Sequence, residues 1–399
     1  MWLPGRSRTS ASRAGHPRRV RGTRVAVLFV VLTAAAAALP ACGDDTPDEL
    51  GEETATTVKS DSDDSGDDSG ETGDGESSRP PTDGTDTPGV EAGAGARIVG
   101  RLGPDGGVPL SDGDFADPFV LDTTVIPIGY TSNTRDANVP VSRGGARGEI
   151  QLGDALPEVG SWSEEGFVWA PGVLEVAEDR FVLYYTSLQP ASGRQCIGVA
   201  VADNPVGPFV DDRDAPFICQ LGQGGSIDAS PVVVGDTPYL LWKSDGNCCD
   251  QPTHIYVQQL GADGTSLVGD PVQLVTSDLP WEGDVVEGPS MVDLDDTLHL
   301  FWSANEWNTA DYAIGHAICE TPLGPCTKDP EPFVVSGEEY QGPGGQELFT
   351  DRAGRMWMAF HAWLPGEVGY ADGGTRRLFL EEITFDESGH PQLVADESS

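Results

Sequence analysis

Five stretches of this 399-residue chain close an apolar run on aromatic and small polar residues. They are IGYTS at 128–132, LYYTS at 183–187, LLWKS at 240–244, LFWSA at 300–304 and MAFHA at 358–362. Their first residues step by 55, 57, 60 and 58 positions. A period of this size forces like units to stack, because one small sheet cannot bury its faces except against copies of itself. The expectation is an all-β chain folded as a five-bladed β-propeller, with roughly four strands to a blade. A second repeat agrees: IGVAVADNPVGPFVDD (197–212) aligns with IGHAICETPLGPCTKD (314–329) at an offset of 117, two blade periods. Each copy reads as a strand, a Pro-Gly turn and a return strand. No long stretch carries a helical period, and β-branched and aromatic residues dominate the apolar runs. Blades are expected to begin near Asp117, Trp169, Ile227, Glu287 and Gly342. The segment Arg376 to Phe385 is expected to run back and complete the ring, leaving no sheet edge open.

The first hundred residues read differently. Arg6, Arg8, Arg13, Arg18, Arg19, Arg21 and Arg24 precede an apolar run from Val25 to Leu39, and Leu39-Pro40-Ala41-Cys42 follows. The run is too short and Ala-rich for a permanent span, and a small residue precedes the cut. Residues 1–41 are therefore expected to be a leader resembling that of a bacterial lipoprotein, with lipid carried by Cys42 and the protein on the outer face of the membrane. Residues 42–97 hold almost nothing apolar, so they cannot offset their ordering entropy and are expected to be an extended acidic tether. This leaves 98–399 as the propeller. The formal charge of −42 argues against nucleic acid and polyanionic substrates and is compatible with a neutral polysaccharide. Lysine is confined to Lys59, Lys243 and Lys328. Apart from Cys42 the cysteines are even in number, as export favours. Cys319 with Cys326, and Cys196 with Cys219, each bracket a hairpin and are expected to pair. For Cys248 and Cys249 neither a vicinal bridge nor two free thiols is ordinary.

Three repeats open with an acid beside a proline or small residue: Asp117 in ADPF, Asp228 in SIDASP and Glu287 in VEGPSM. A propeller brings the start of each innermost strand near its axis, so carboxylates from three blades converge. Hydrolysis of a glycosidic bond needs such a set, an acid for the leaving oxygen and a base or nucleophile on the opposite face. The acid must keep its proton near neutrality, and a further ionised carboxylate nearby raises its pKa by like-charge repulsion. Taken singly, each could equally be a turn Asp or a solvated blade-edge Glu.

In order, ADPF, WAP at 169–171, SIDASP, VEGPSM, GPGG at 342–345 and an Arg-rich strand followed by FDESG resemble glycoside hydrolase family 43. The resemblance implies a five-bladed propeller that inverts anomeric configuration. It makes Asp117 the general base that activates water, Glu287 the general acid, and Asp228 the residue that tunes and orients the acid. Base and acid of an inverting enzyme stand about 6.5–9.5 Å apart. Arg376 aligns with an arginine that enters the pocket; Arg377 takes that place if the register moves by one. Sugar rings stack on flat apolar faces. Trp169 leads as substrate contact, followed by Trp302, Trp307, His361 and Trp363. Trp242 shares the repeat slot of Trp302 and is expected in the core; His254, His299 and His316 are expected to be isolated and structural.

The family's usual proline after the SID aspartate is Ala229 here, with Pro231 two places on. Gly172 follows WAP where an acid is usual, so an outer-pocket contact is expected to be missing. Gly345 replaces a histidine that can help hold a channel ion. The chemistry requires no cofactor and no catalytic metal; for a structural Ca²⁺ in the central channel, Glu347 is the substitute oxygen ligand. The implied substrates are neutral plant-type polysaccharides or oligosaccharides, either α-L-arabinofuranosides or β-D-xylosides, and a monomer is expected. Two other readings remain. Sucrose- and fructan-cleaving propellers work with retention, but carry RDP-like and EC-like motifs where this chain has SIDASP and VEGPSM. A propeller that only captures glycans has no need of all three acids.

Overall fold

In a computed structural model the chain is described over residues 110–394, apart from 112, 122–126, 146–147 and 352. The expected leader, Cys42 and the acidic tether lie outside the described residues. Five antiparallel meanders follow one another along the chain. Blade I comprises Phe119–Leu121, Ile128–Tyr130, Pro140–Gly145 and Gly148–Asp154, and blade II Trp169–Ala177, Arg180–Gln189 and Arg194–Ala202. Blade III comprises Ser226–Val234, Thr237–Ser244, His254–Leu260 and Leu267–Thr276. Blade IV comprises Val286–Leu294, Thr297–Ala304, Ala313–Cys319 and Cys326–Lys328, and blade V Gln341–Thr350, Met356–Trp363, Arg377–Phe385 and Pro391–Leu393. The first strands touch in a cycle, I to II, II to III, III to IV, IV to V and V back to I, which is the five-bladed β-propeller read from the repeats. Blade II lacks a full fourth strand; Val201 bridges to Val210 and Ile197 to Ile218 instead.

Every repeated pentapeptide begins in the second strand of its blade, though in blade I that strand ends at Tyr130, and its slots have separate duties. The third slot holds Tyr130, Tyr185, Trp242, Trp302 and Phe360, all fully buried. Such rings each remove on the order of 200 Å² from water and pack the blades together. The fourth slot holds Thr131, Thr186, Lys243, Ser303 and His361, polar yet equally buried. Buried polar groups need partners. Thr186, Lys243, Ser303 and His361 find them at the entry to the neighbouring blade, as described below, while Thr131 donates to the Ala116 carbonyl of its own blade.

Two expectations change. Arg377–Phe385 is an interior strand of blade V, paired with Met356–Trp363 and Pro391–Leu393, rather than a strand returning to another sheet. Closure comes from the other end of the domain: the Leu110 and Phe115 amides donate to the Leu378 and Arg376 carbonyls at 2.8 and 2.7 Å. His299 and His316 are not isolated; their rings stack 5.3 Å apart. Gly172 packs against blade III, where a Cβ would lie 2.4 Å from the Ala229 carbonyl oxygen and 2.8 Å from Pro231.

Cys196 bonds to Cys219 and Cys319 to Cys326, as expected, and Cys248 bonds to Cys249 within the short turn Gly246–Cys249. Both described lysines are consumed internally. Lys328 donates to the Thr276 carbonyl, Asp278 and Glu282 and lies over the Trp302 ring. Lys243 serves the cleft.

Candidate active site

Near the start of each inner strand stands a residue at positive φ: Asp117, Ala170, Asp228, Gly288 and Gly345, with φ between 40° and 58°; blade V has a second, Gly342. In blades II to V a register shift follows at that point, a bulge of the kind that re-aims a side chain beside a site. The amide of each of the first five is held by a side chain of the preceding blade. Asp117 donates to His361 Nδ1 (3.0 Å), Ala170 to Ser132 Oγ (2.9 Å) and Asp228 to Thr186 Oγ1 (3.2 Å). Gly288 donates to Asp228 Oδ2 (2.9 Å) and Gly345 to Ser303 Oγ (2.8 Å). Gly345 has a second constraint, because a Cβ there would meet the His361 ring at 2.6 Å and Asp117 Oδ1 at 2.8 Å. The histidine that the resemblance would place at this point would have to displace that ring or carboxylate.

Asp117, Asp228 and Glu287 come together in one cleft of about 380 Å³, lined also by Trp169, Lys243, Trp307, Tyr312 and Arg376. Asp117 Oδ2 accepts from Ser132 Oγ at 2.7 Å and faces Arg376 Nη1 at 3.6 Å. Burial alone would raise its pKa, but the groups around it, Arg376 foremost, outweigh burial and hold it below the usual carboxylate range. His361 Nδ1 accepts the Asp117 amide proton, so the ring is neutral and its approach to Asp117 is no ion pair. Burial, aided by Arg376, pushes the His361 pKa down to about 3.

Glu287 sits between two donors, Lys243 Nζ at 2.7 Å and Tyr312 Oη at 2.8 Å. Lys243 is 1 % exposed and stays charged: burial opposes its proton, but Glu287, Asp245 and Asp228 raise its pKa. Asp228 is the carboxyl pushed up, to about 7. Burial is the main cause, the charges of Glu287 and Asp117 add to it, and Lys243 opposes it. Arg376 stacks over Trp307 at 4.7 Å and takes the Tyr370 hydroxyl as acceptor at 3.0 Å, while Tyr370 donates to Asp114 at 2.9 Å. Arg377 instead reaches the Ser111 carbonyl, so the register leaves Arg376 in the cleft.

Three expected sugar contacts are absent from the cleft wall. Trp302 occupies the buried third slot, donates to Glu282 at 3.1 Å and stacks on Trp281, so it is core like Trp242. His361 is fully buried and supports Asp117 from behind. Trp363 is likewise buried, donating to the Trp307 carbonyl. Trp169 and Trp307 do line the cleft, both half-buried. Lys243, Tyr312 and Tyr370 were not anticipated. Lys243 had a visible signal: a lysine in the buried polar slot of a chain with only three.

Glu347 lines the same cleft but faces serines, with Ser230 Oγ donating at 3.1 Å. Burial pushes it up to about 8, against the hydrogen bonds from Ser230, Ser290 and the Leu348 amide. A Ca²⁺ ion wants six to eight oxygens, several of them anionic. One carboxyl among hydroxyls does not fit that ion. The raised pKa has a stability consequence. Wild type loses stability relative to Glu347→Gln as pH rises from 4.5, the ordinary value, to about 8, because only the unfolded chain ionises freely over that range. The variant is expected to be more stable at pH 8 by on the order of 3 kcal/mol and near wild type at pH 4, read from urea melts at both.

The fold and this cleft define a class: propellers whose axis collects acids from separate blades beneath aromatic walls. The chain belongs to glycosyl hydrolases family 43, whose family model matches residues 150–391. Asp117 lies outside that match and is placed by the structure. Extracellular endo-alpha-(1->5)-L-arabinanase 2 of Bacillus subtilis (strain 168) is 32 % identical over 276 residues, covering 57 % of this chain and 58 % of that protein. The chain thus spans less than two thirds of that relative. A thermostable family-43 glycoside hydrolase superposes with TM-score 0.63 at 25 % identity, covering 75 % of this chain and 97 % of the other. The endo-arabinase of Bacteroides thetaiotaomicron gives 0.58 at 25 % identity, with 70 % and 98 % covered.

Proposed function

We propose that this chain is an exported glycosidase that cleaves pentose polymers by a single inverting displacement, with α-L-arabinosyl linkages foremost. The observation that carries the reading is the delivery of Asp117, Asp228 and Glu287 from three blades into one cleft beside Arg376 and Trp169. Asp117, kept ionised by Arg376, takes the proton of the attacking water. Glu287 protonates the leaving oxygen on the other face. Asp228 holds its own proton to about pH 7 and accepts from the Gly288 amide next to the acid, so it positions the backbone there. Trp169 offers the face on which a sugar ring stacks. The arabinanase names of two relatives favour arabinan over xylan. Export follows the leader and the disulfides, and attachment through lipidated Cys42 follows the residues before it.

The test is NMR of the sugar released by the full chain from 4-nitrophenyl α-L-arabinofuranoside and β-D-xyloside, with Glu287→Gln alongside. Inverted arabinose from wild type is the expected result. Retained product would move the chain to a two-step mechanism with an aspartate nucleophile. No release from either glycoside, nor from arabinan or xylan, would leave a glycan-binding propeller.

A further inference from the structure

Away from the cleft, where blade IV meets the last hairpin of blade V, three of the chain's six histidines gather round one carboxylate. His316, in the third strand of blade IV, places Nδ1 2.7 Å from Asp329 Oδ2. His390, in the turn before Pro391–Leu393, places Nδ1 3.0 Å from the same oxygen. The three ligand atoms all lie within 4.8 Å of one another. Behind them, His299 Nδ1 stands 3.0 Å from His316 Nε2. We propose that His316, Asp329 and His390 form a zinc site that clamps the C-terminal hairpin of blade V to blade IV.

The chemistry of the donors selects the ion. Two imidazole nitrogens and one carboxylate suit Zn²⁺, whereas Ca²⁺ and Mg²⁺ take oxygens. Zinc bonds of about 2.0–2.2 Å require the three atoms only to spread modestly from hydrogen-bond spacing. His390, about half exposed, has freedom to make that movement, while His316 is fully buried and fixed. A zinc-binding histidine usually gives its other ring N–H to an acceptor, which fixes its tautomer. His299 Nδ1 stands where that acceptor belongs. An ion has a way in, because Asp329 and His390 line an open groove with Glu331 and Phe333, and water from that side completes the tetrahedron.

The test is calorimetric titration of the chelator-treated full chain with ZnCl₂, beside His390→Ala and Asp329→Asn, with thermal melts in zinc and in calcium. His390 is exposed, so its loss leaves the fold intact. The expected result is one zinc bound by wild type at least about tenfold more tightly than by His390→Ala, with Asp329→Asn similarly weakened. Zinc raises the melting temperature of wild type and not that of His390→Ala, and calcium at equal concentration does not reproduce the rise. Zinc binding equal in wild type and both variants would mean a diffuse effect of the acidic surface and would overturn the proposal. So would absence of zinc binding by wild type.

Discussion

On arabinan, the proposed substrate, Glu287→Gln is expected to have kcat lowered about 10²–10⁴-fold and KM little changed. The loss is confined to the transition state, because the leaving sugar oxygen departs as an alkoxide unless a proton reaches it. The fold survives, since the amide still fills the space and still offers an oxygen to Lys243 or Tyr312. A nitrophenolate leaves without help, so the same variant is expected to lose far less activity on 4-nitrophenyl arabinofuranoside. Asp117→Asn has no such escape, because water must be activated whatever the leaving group, and its loss is expected on both substrates. The pair of ratios separates the two roles. Equal losses for Glu287→Gln on both substrates would remove Glu287 from the part of acid.

Lys243→Met lowers stability by about 3–5 kcal/mol, the cost of leaving a buried carboxylate without its partner. Lys243 is 1 % exposed and lies 2.7 Å from Glu287, so water cannot replace its charge. Its raised pKa means that the stabilisation is fully present below the ordinary lysine value and fades only as pH rises through the folded one. The deficit therefore stands at neutral pH. Because Lys243 also restrains Asp228, the variant pushes Asp228 above about 7 and moves the limb of the pH–rate profile that reports it to higher pH. Adding Glu287→Gln to Lys243→Met is expected to recover part of the lost stability, a coupling that a double-mutant cycle in urea measures. Additive effects would mean that the pair is not coupled.

The blade plan was legible because it is a matter of spacing: the pentapeptides carry the period, and all five begin in second strands. The acids were legible for the same reason, each standing at a strand entry. Trp302 and His361 were misplaced because position along a strand was read without its facing. Neighbouring slots point to opposite sides, and the third slot is core in every blade, as Trp242 already indicated. His361 shares the fourth slot with Thr186 and Ser303, both of which hold backbone amides. That equivalence appears only when the entry residues are seen at positive φ, and backbone angle is not written in residue type when Asp and Ala adopt it. Tyr312 and Tyr370 lie outside the repeated strands, in connections whose lengths vary, so no period points to them. The clustering of His299, His316 and His390 was hidden likewise, because His390 belongs to a different blade.

Because each entry residue is gripped by the blade before it, the unit that aims an acid is a seam between blades. Four of the five seams are crossed by continuous chain. The fifth, from blade V to blade I, has no peptide link, and the proposed base depends on it: His361 holds the Asp117 amide and Arg376 steadies its carboxylate. Assembly of the ring and arming of the base are thus one event. A partly joined circle has its proposed acid in place and no base to match it, so such a chain stays chemically silent until its first and last blades have met.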